Sequence, residues 1–336
     1  MEKIQAEEVL ADSPALGSAP RLLQCMEIWG GNQATESCVA LSGLDAWVFS
    51  MPHEGGSGGG DIHYVSSCAT GRINRLLLAD VSGHGEKVAD IARQLRDLMR
   101  RFVNHFDQTA FVRSLNREFA AITRVGRFAT AVVTTFWSPT GVLEICNAGH
   151  PRPLWYRARQ GRWELLDQHS RASKQAGVAN VPLGVVDLTR YDARRVSLEP
   201  GDLVVLYTDS LIEARRPGGE LLGEEGLLEC ARRLPPLPPG ALIRALHDAV
   251  KEYRGGARAD DDETVMLFRP NGRAPRMSVG ERARSAIRLL GAVAQAIRPG
   301  GPPMPWPGLG IENIGGFFFP RLNRRLVAPA RSDVPQ

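Results

Sequence analysis

Hydrophobic and polar residues recur along this chain in two rhythms, and the changes of rhythm mark its elements. Apolar-rich runs of strand length lie at Leu44 to Met51, Ile62 to Ser67 and Ile73 to Val81. The last, INRLLLADV, is apolar enough to predict a strand buried on both faces. Between the first two lies HEGGSGGGD, a glycine-rich turn. The rhythm then lengthens. Val88, Ile91, Leu95, Leu98, Met99 and Phe102 fall at three- and four-residue spacing with Arg and Asp between them, which predicts an amphipathic helix. A second helix is expected from about Asp107 to Arg124. Strand-like runs return at Thr130–Phe136, Val142–Cys146, Pro153–Tyr156, Trp163–Leu166, Tyr191–Ser197 and Leu203–Tyr207. Helical stretches over 223–233 and 239–253 follow, split by the breaker PPLPP, and Thr264–Phe268 closes the series as a strand.

That order is strands, a helix pair, many strands, a second helix pair and a last strand. It does not alternate strand with helix, so a doubly wound parallel sheet is excluded. The α+β class, with mixed sheets covered by helix pairs, fits instead. Residues 1–20 read as a loose lead-in, 21–270 as the folded body and 271–336 as a tail of different composition. In the tail, Val279, Ala283, Ile287, Leu290, Val293, Ala294 and Ile297 predict an amphipathic helix that carries Arg282, Arg284 and Arg288 on its polar positions. A Pro/Gly-rich stretch containing GGFFFPRL follows it.

Composition narrows the classes. A hydrophobic share of 43% over 336 residues supports a sizeable core. The net charge of +4 is unevenly spread. Residues 271–336 hold ten arginines and no lysine against Glu281, Glu312 and Asp333, so the tail is basic and the rest slightly acidic. The body therefore offers no electrostatic footprint for nucleic acid. The tail's basic amphipathic helix suits an anionic membrane surface or a partner groove, against the plainer reading that it packs on the body. Five scattered cysteines without a CxxC pair argue against a disulfide framework or a cysteine zinc site, and fit a cytoplasmic location. The acidic start lacks the apolar core of a secretory signal, and no run approaches a membrane span.

The candidate chemistry lies in four aspartates at strand ends. Asp61 ends GGGD at the start of a strand, Asp80 ends LLLAD, Asp209 ends VVLYTD, and Asp261 stands in DDDET before VMLF. A lone carboxylate at the end of a buried strand is costly unless it is paired. Repeated strand-end aspartates therefore suggest convergence on a cation. Oxygen-only donors point to a hard ion, Mg²⁺ or Mn²⁺. Each aspartate alone also reads as a turn or N-cap residue, Asp80 as the cap of the helix that follows, and DDDE as a solvated acidic turn.

The set as a whole resembles a family. GGGD at 58–61, ADVSGHG at 79–85, RFATAVV at 127–133, NAGHPRPLW at 147–155, GDLVVLYTDSLIEA at 201–214 and DDDETVMLF at 260–268 are similar, in order, to the motifs of the protein phosphatase 2C (PPM) family. Its bacterial branch typified by the stage II sporulation phosphatase is the nearer. The resemblance spans about residues 40–270. It implies a four-layer αββα sandwich of two mainly antiparallel sheets flanked by helix pairs, with two divalent cations, Mn²⁺ or Mg²⁺, between the sheets. By motif, Asp80 would bridge both ions and the Val81 carbonyl would join one. Asp209 and Asp261 would complete the second site, with Asp262 as the adjacent alternative to Asp261, and Asp61 would hold the first, directly or through water.

Such an enzyme hydrolyses phosphoserine and phosphothreonine with an activated water and no phosphoenzyme. His84 is the candidate proton donor to the leaving alkoxide, against a plain helix-start role between Gly83 and Gly85. Asn147 and His150 read as turn-shaping residues. The branch implies a phosphorylated regulatory protein as substrate, of the anti-anti-sigma, STAS-like kind. One departure stands out: Ser210 occupies the place where the family usually has glycine. If that place needs positive φ, serine would strain it and weaken the site.

Two other readings compete. CNAGHPR, Cys146 to Arg152, has the CX5R spacing of cysteine phosphatases, but prolines and a strand-like run follow it where a helix is required. A phosphatase fold kept as a non-catalytic binding module is the other, favoured by Ser210 and opposed by the four aspartates.

Overall fold

The computed structural model describes residues 20–273, apart from 24–26, 54–55, 57, 68–71, 84, 103–106, 124–125, 167–178 and 187–188. Nearly all of the expected lead-in and the whole expected tail helix lie outside the described residues.

Thirteen strands form two sheets. Strands β1 (Arg21–Leu22), β3 (Thr35–Leu41), β4 (Leu44–Met51), β9 (Leu154–Arg157), β10 (Arg162–Leu165), β12 (Leu203–Tyr207) and β13 (Glu263–Pro270) make a seven-stranded sheet in the order β1-β3-β4-β13-β12-β9-β10. Strands β2 (Ile28–Gly31), β5 (Asp61–Ser67), β6 (Ile73–Val81), β7 (Ala129–Trp137), β8 (Val142–Ala148) and β11 (Ala193–Ser197) make a six-stranded sheet in the order β11-β8-β7-β6-β5-β2. The β1–β3 pair is parallel and the other strand pairs are antiparallel.

Side-chain parity explains why β6 reads as a continuous apolar run. Leu76 and Leu78 face the second sheet and join a core with Val39, Val48, Val132, Phe136, Leu206, Met266 and Phe268. Leu77, Ala79 and Val81 face the other way, onto helices α1 (Glu86–Phe102) and α2 (Gln108–Ile122), against Val88, Leu95, Met99, Phe111, Leu115 and Phe119. The seven-stranded sheet does the same on its far side. Trp47, Val205, Tyr207, Val265 and Leu267 pack under helices α3 (Gly223–Arg233) and α4 (Pro239–Tyr253), which supply Leu227, Leu228, Leu242, Leu246 and Val250. Both sheets are thus covered on both faces, so period-two polarity gives way to runs of Val, Ile and Leu. The result is the expected four-layer αββα sandwich.

The helix pairs begin and end as their sequences require. Asp107 caps α2, its carboxylate accepting the Thr109 and Ala110 N–H groups at 2.8 and 3.0 Å. α4 starts on Pro239, whose missing N–H costs nothing at the first helical turn. Among the described residues no helix is long and apolar enough to cross a membrane.

Candidate functional site

Parity along the strands decides where the aspartates go. In β6, Leu76 and Leu78 point between the sheets, and so does Asp80, two residues further on. Asp61 lies directly opposite Asp80 in the β5–β6 ladder, on the same face and at the same end. Two carboxylates facing each other across one ladder repel, so the neighbouring sheet has to supply compensation. It does so for Asp61: the Thr208 hydroxyl, just past β12, donates to Asp61 Oδ2 at 2.9 Å, and Thr208 Oγ1 accepts the Thr264 N–H at 3.0 Å. This relay joins the two sheets at the site and holds Asp61 buried.

The DDD run divides its work. The Asp262 carboxylate accepts the backbone N–H groups of His53 at 2.6 Å and Gly60 at 2.5 Å, with Asp61 N–H more distant at 3.4 Å. It pins the glycine-rich turn. Asp261 instead lines a cleft with Ser210 and Glu213, while Asp260 is exposed. The register left open between Asp261 and Asp262 thus resolves into a cleft-facing residue and a turn-binding one. Asp80 is a ladder residue of β6, six positions before α1 begins, so it is not the cap of that helix.

Close approach gives GGGD its glycines. A Cβ on Gly59 would fall 2.3 Å from Asp262 Oδ2, and one on Gly60 would fall 2.8 Å from the Val81 carbonyl oxygen. Gly83 and Gly85 serve a different end: both adopt positive φ, +97° and +91°, in the turn that leads into α1. Ser82 anchors this turn to the start of β7, its N–H donating to the Phe128 carbonyl and its hydroxyl accepting the Phe128 N–H. His84 lies outside the described residues.

The electrostatics mark a cluster of carboxylates that raise one another. Burial pushes the Asp80 carboxyl up to about 8, reinforced by Asp209, Asp261, Asp262 and Glu213. Burial, then Glu213 and Asp261, push Asp209 up to about 6. Asp61 is also raised, first by burial and then by Asp80, against the opposing hydrogen bonds from Thr264 and Thr208. Glu213 is the member that sequence reasoning missed. A signal was available: Asp209 opens a 3-10 turn, Asp209–Leu211, and the Glu213 N–H reaches the Asp209 carbonyl at 2.8 Å, so DSLIE places two acids on one face of a single turn. Among the described residues no group of three or more His, Cys, Asp or Glu side chains is placed so that it could hold a metal ion as it stands. The donor set does suit hard cations in its chemistry: all its side chains are carboxylates, mutually repelling, with a carbonyl held open beside them by Gly60.

The remaining candidates separate cleanly. Ser210 lies within the 3-10 turn, and Asn180 is the non-glycine residue with positive φ, 59°, among the described residues. The condition under which serine would strain the site is not met. Asn147 clamps its own turn, donating to the His150 carbonyl and accepting the His150 N–H, both at 2.6 Å. His150 Nδ1 lies 2.8 Å from Thr130 Oγ1, and burial lowers the imidazole to about 3. Cys146 is buried in β8 with its thiol pushed up by burial. Arg152 is held by Glu224 at 2.6 Å, and strand β9 follows where a phosphate-binding helix would be needed. The CX5R spacing is therefore not a phosphatase loop.

The sequence profile of the family described as "Stage II sporulation protein E (SpoIIE)" matches residues 71–271, well over half of the chain. This protein belongs to the SpoIIE family. With it comes membership of the PPM-type phosphatase superfamily. The match begins before Asp80 and ends after Asp261, so the SpoIIE profile takes in every candidate aspartate except Asp61.

Solved structures agree with the SpoIIE fold. A Bacillus subtilis SpoIIE structure, holding the PP2C phosphatase domain and a fragment of the regulatory domain, matches at a TM-score of 0.56 and 15% identity, over 72% of this chain and 71% of that one. The RsbU and RsbW domains of a Mycobacterium tuberculosis protein match at 0.55 and 22%, over 76% and 73%. The SiaA PP2C domain of Pseudomonas aeruginosa matches at 0.54 and 18%, over 67% and 84%. At these identities the likeness speaks to the fold.

Proposed function

We propose that this chain is a metal-dependent protein serine/threonine phosphatase. The observation that carries the reading is the facing pair Asp61 and Asp80 between the two sheets, with burial, then Asp209, Asp261, Asp262 and Glu213, pushing Asp80 up to about 8. Such a cluster is unfavourable as anions alone, and divalent cations are the counter-charge that relieves it.

In this reading Asp80, Asp61, Asp209, Asp261 and the Val81 carbonyl hold two divalent cations, Mn²⁺ or Mg²⁺. When bound, those ions supply positive charge for phosphate oxygens and acidify water near neutral pH. The chain's own contributions are geometric and protonic. Asp80 and Asp61 are fixed by their ladder, and Thr208 keeps one Asp61 oxygen engaged so that its orientation is set. Asp262 holds the glycine turn against β6 and keeps the Val81 carbonyl uncovered. His84, two positions before Glu86 in the sequence, delivers the proton that the serine or threonine alkoxide needs as it leaves. Family and fold both support a phosphoserine- or phosphothreonine-bearing regulatory protein as substrate, an anti-anti-sigma, STAS-like protein being the specific proposal.

Hydrolysis of p-nitrophenyl phosphate with and without Mn²⁺, beside Asp80→Ala, tests this. Activity that needs the ion and vanishes in the variant supports it. Inactivity with both Mn²⁺ and Mg²⁺ would replace it with the binding-module reading.

A further inference from the structure

The cleft that exposes Asp261 has lining residues for which the proposed chemistry has no use. It encloses about 300 Å³ and is lined by Glu213, Asp260 and Asp261 together with Arg215, Arg254 and Arg258. The three arginines differ. Arg254 is buried and its Nη1 stands 2.8 Å from Glu263, so its charge is committed to the fold. Arg215 and Arg258 are exposed and make no ion pair among the described residues. Arg215 Nη1 donates to the Gly219 carbonyl at 3.0 Å, which fixes the guanidinium without neutralising it.

The contrast with the next residue is instructive. Arg216 pairs with Glu220 at 3.2 Å and lies over the Tyr253 ring, 4.9 Å from its centroid. Glu213 and Asp260 line the cleft too, yet neither is in ion-pair contact with Arg215 or Arg258 among the described residues. One cleft therefore presents both carboxylates and two guanidiniums that make no ion pair among the described residues.

We propose that Arg215 and Arg258 form a subsite for acidic side chains flanking the phosphorylated residue of the protein substrate, an inference that rests on the phosphatase reading. A phosphopeptide with its phosphoryl group at Asp261 has neighbouring residues in the cleft that Asp261 shares with Arg215 and Arg258. A planar guanidinium matches a carboxylate through two parallel hydrogen bonds, which an amide of the same shape cannot reproduce. Because both arginines are exposed, the subsite acts through substrate capture, so it appears in KM and weakens as salt rises.

The test uses the full chain with Mn²⁺ and three synthetic phosphoserine peptides whose flanking residues are Asp/Glu, Asn/Gln or Lys. The expected wild-type result is a preference of roughly tenfold in kcat/KM for the acidic over the neutral peptide, carried by KM and reduced in high salt. In the double variant Arg215→Glu, Arg258→Glu the order inverts toward the lysine peptide, a gain that misfolding cannot produce. Arg216→Glu, one residue along, keeps the acidic preference. Equal kcat/KM for acidic and neutral peptides in the wild type, or an acidic preference that survives in the double variant, would overturn the subsite. Failure of the wild type to hydrolyse any of the peptides would overturn the phosphatase reading and the subsite with it.

Discussion

Strand β13 begins between two groups of acids, one buried and one partly buried, that have met desolvation in opposite ways. Glu263 is buried, and burial alone would raise its carboxyl, but His247 and Arg254 outweigh that and hold it below the usual carboxylate range. His247 Nε2 lies 3.1 Å and Arg254 Nη1 2.8 Å from its oxygens. Two residues earlier the chain enters the cluster around Asp80, where neighbours add repulsion to burial and the carboxyl rises to about 8. The first group is neutralised from within and locks α4 onto β13. In the second the carboxylates raise one another, and that difference separates a structural ion pair from a site built for something the chain does not itself supply.

Breaking the internally paired group has the largest expected effect. Arg254→Ala leaves Glu263 short of a buried partner and should cost about 3–5 kcal/mol in urea unfolding, with the loss of activity following the loss of fold. Removing a member of the Asp80 cluster should do the reverse. Asp80→Ala should lower Mn²⁺-dependent hydrolysis by roughly 100-fold or more while leaving the circular dichroism spectrum unchanged.

A buried group outside both regions sharpens the comparison through pH. His63 is fully buried against Trp29, and burial lowers its imidazole to about 4. The unfolded chain takes up this proton near pH 6.5 and the folded chain only near 4, so its contribution is intact above 6.5 and is lost as pH falls through that window. The loss should be on the order of 3 kcal/mol by pH 4, and His63→Leu should flatten that part of the stability–pH curve. The smallest effect belongs to Ser210→Gly. With no positive φ to relieve, activity should stay within about twofold of wild type, and the added backbone freedom should cost at most about 1 kcal/mol. A large gain in activity would show that serine does impede the site.

Much of this was legible before any coordinates. The aspartates at 61, 80, 209 and 261 could be singled out only as a set at strand ends, since each alone reads equally as a turn or cap residue, and both helix pairs followed from their spacing. Strand β3, TESCVAL, was not seen: Glu36, Ser37 and Cys38 break the alternation, and the strand's stability comes from its ladder with β4 and from its place over the inter-sheet core. Glu213 was missed because it belongs to the site through a turn, not through a strand end. The division of labour between Asp261 and Asp262 was beyond reach in one dimension, since it depends on which of two adjacent carboxylates meets the N–H groups of His53 and Gly60 across the sheet interface.

The most direct test of the central claim is a thermal unfolding comparison of the wild type and Asp80→Asn near pH 7.5, each with EDTA and with Mn²⁺. If the carboxylates of the cluster raise one another and the site is built for cations, the asparagine variant melts higher than the wild type in EDTA and loses the stabilisation that Mn²⁺ gives the wild type. A variant that melts lower in EDTA and gains as much from Mn²⁺ as the wild type would contradict the account.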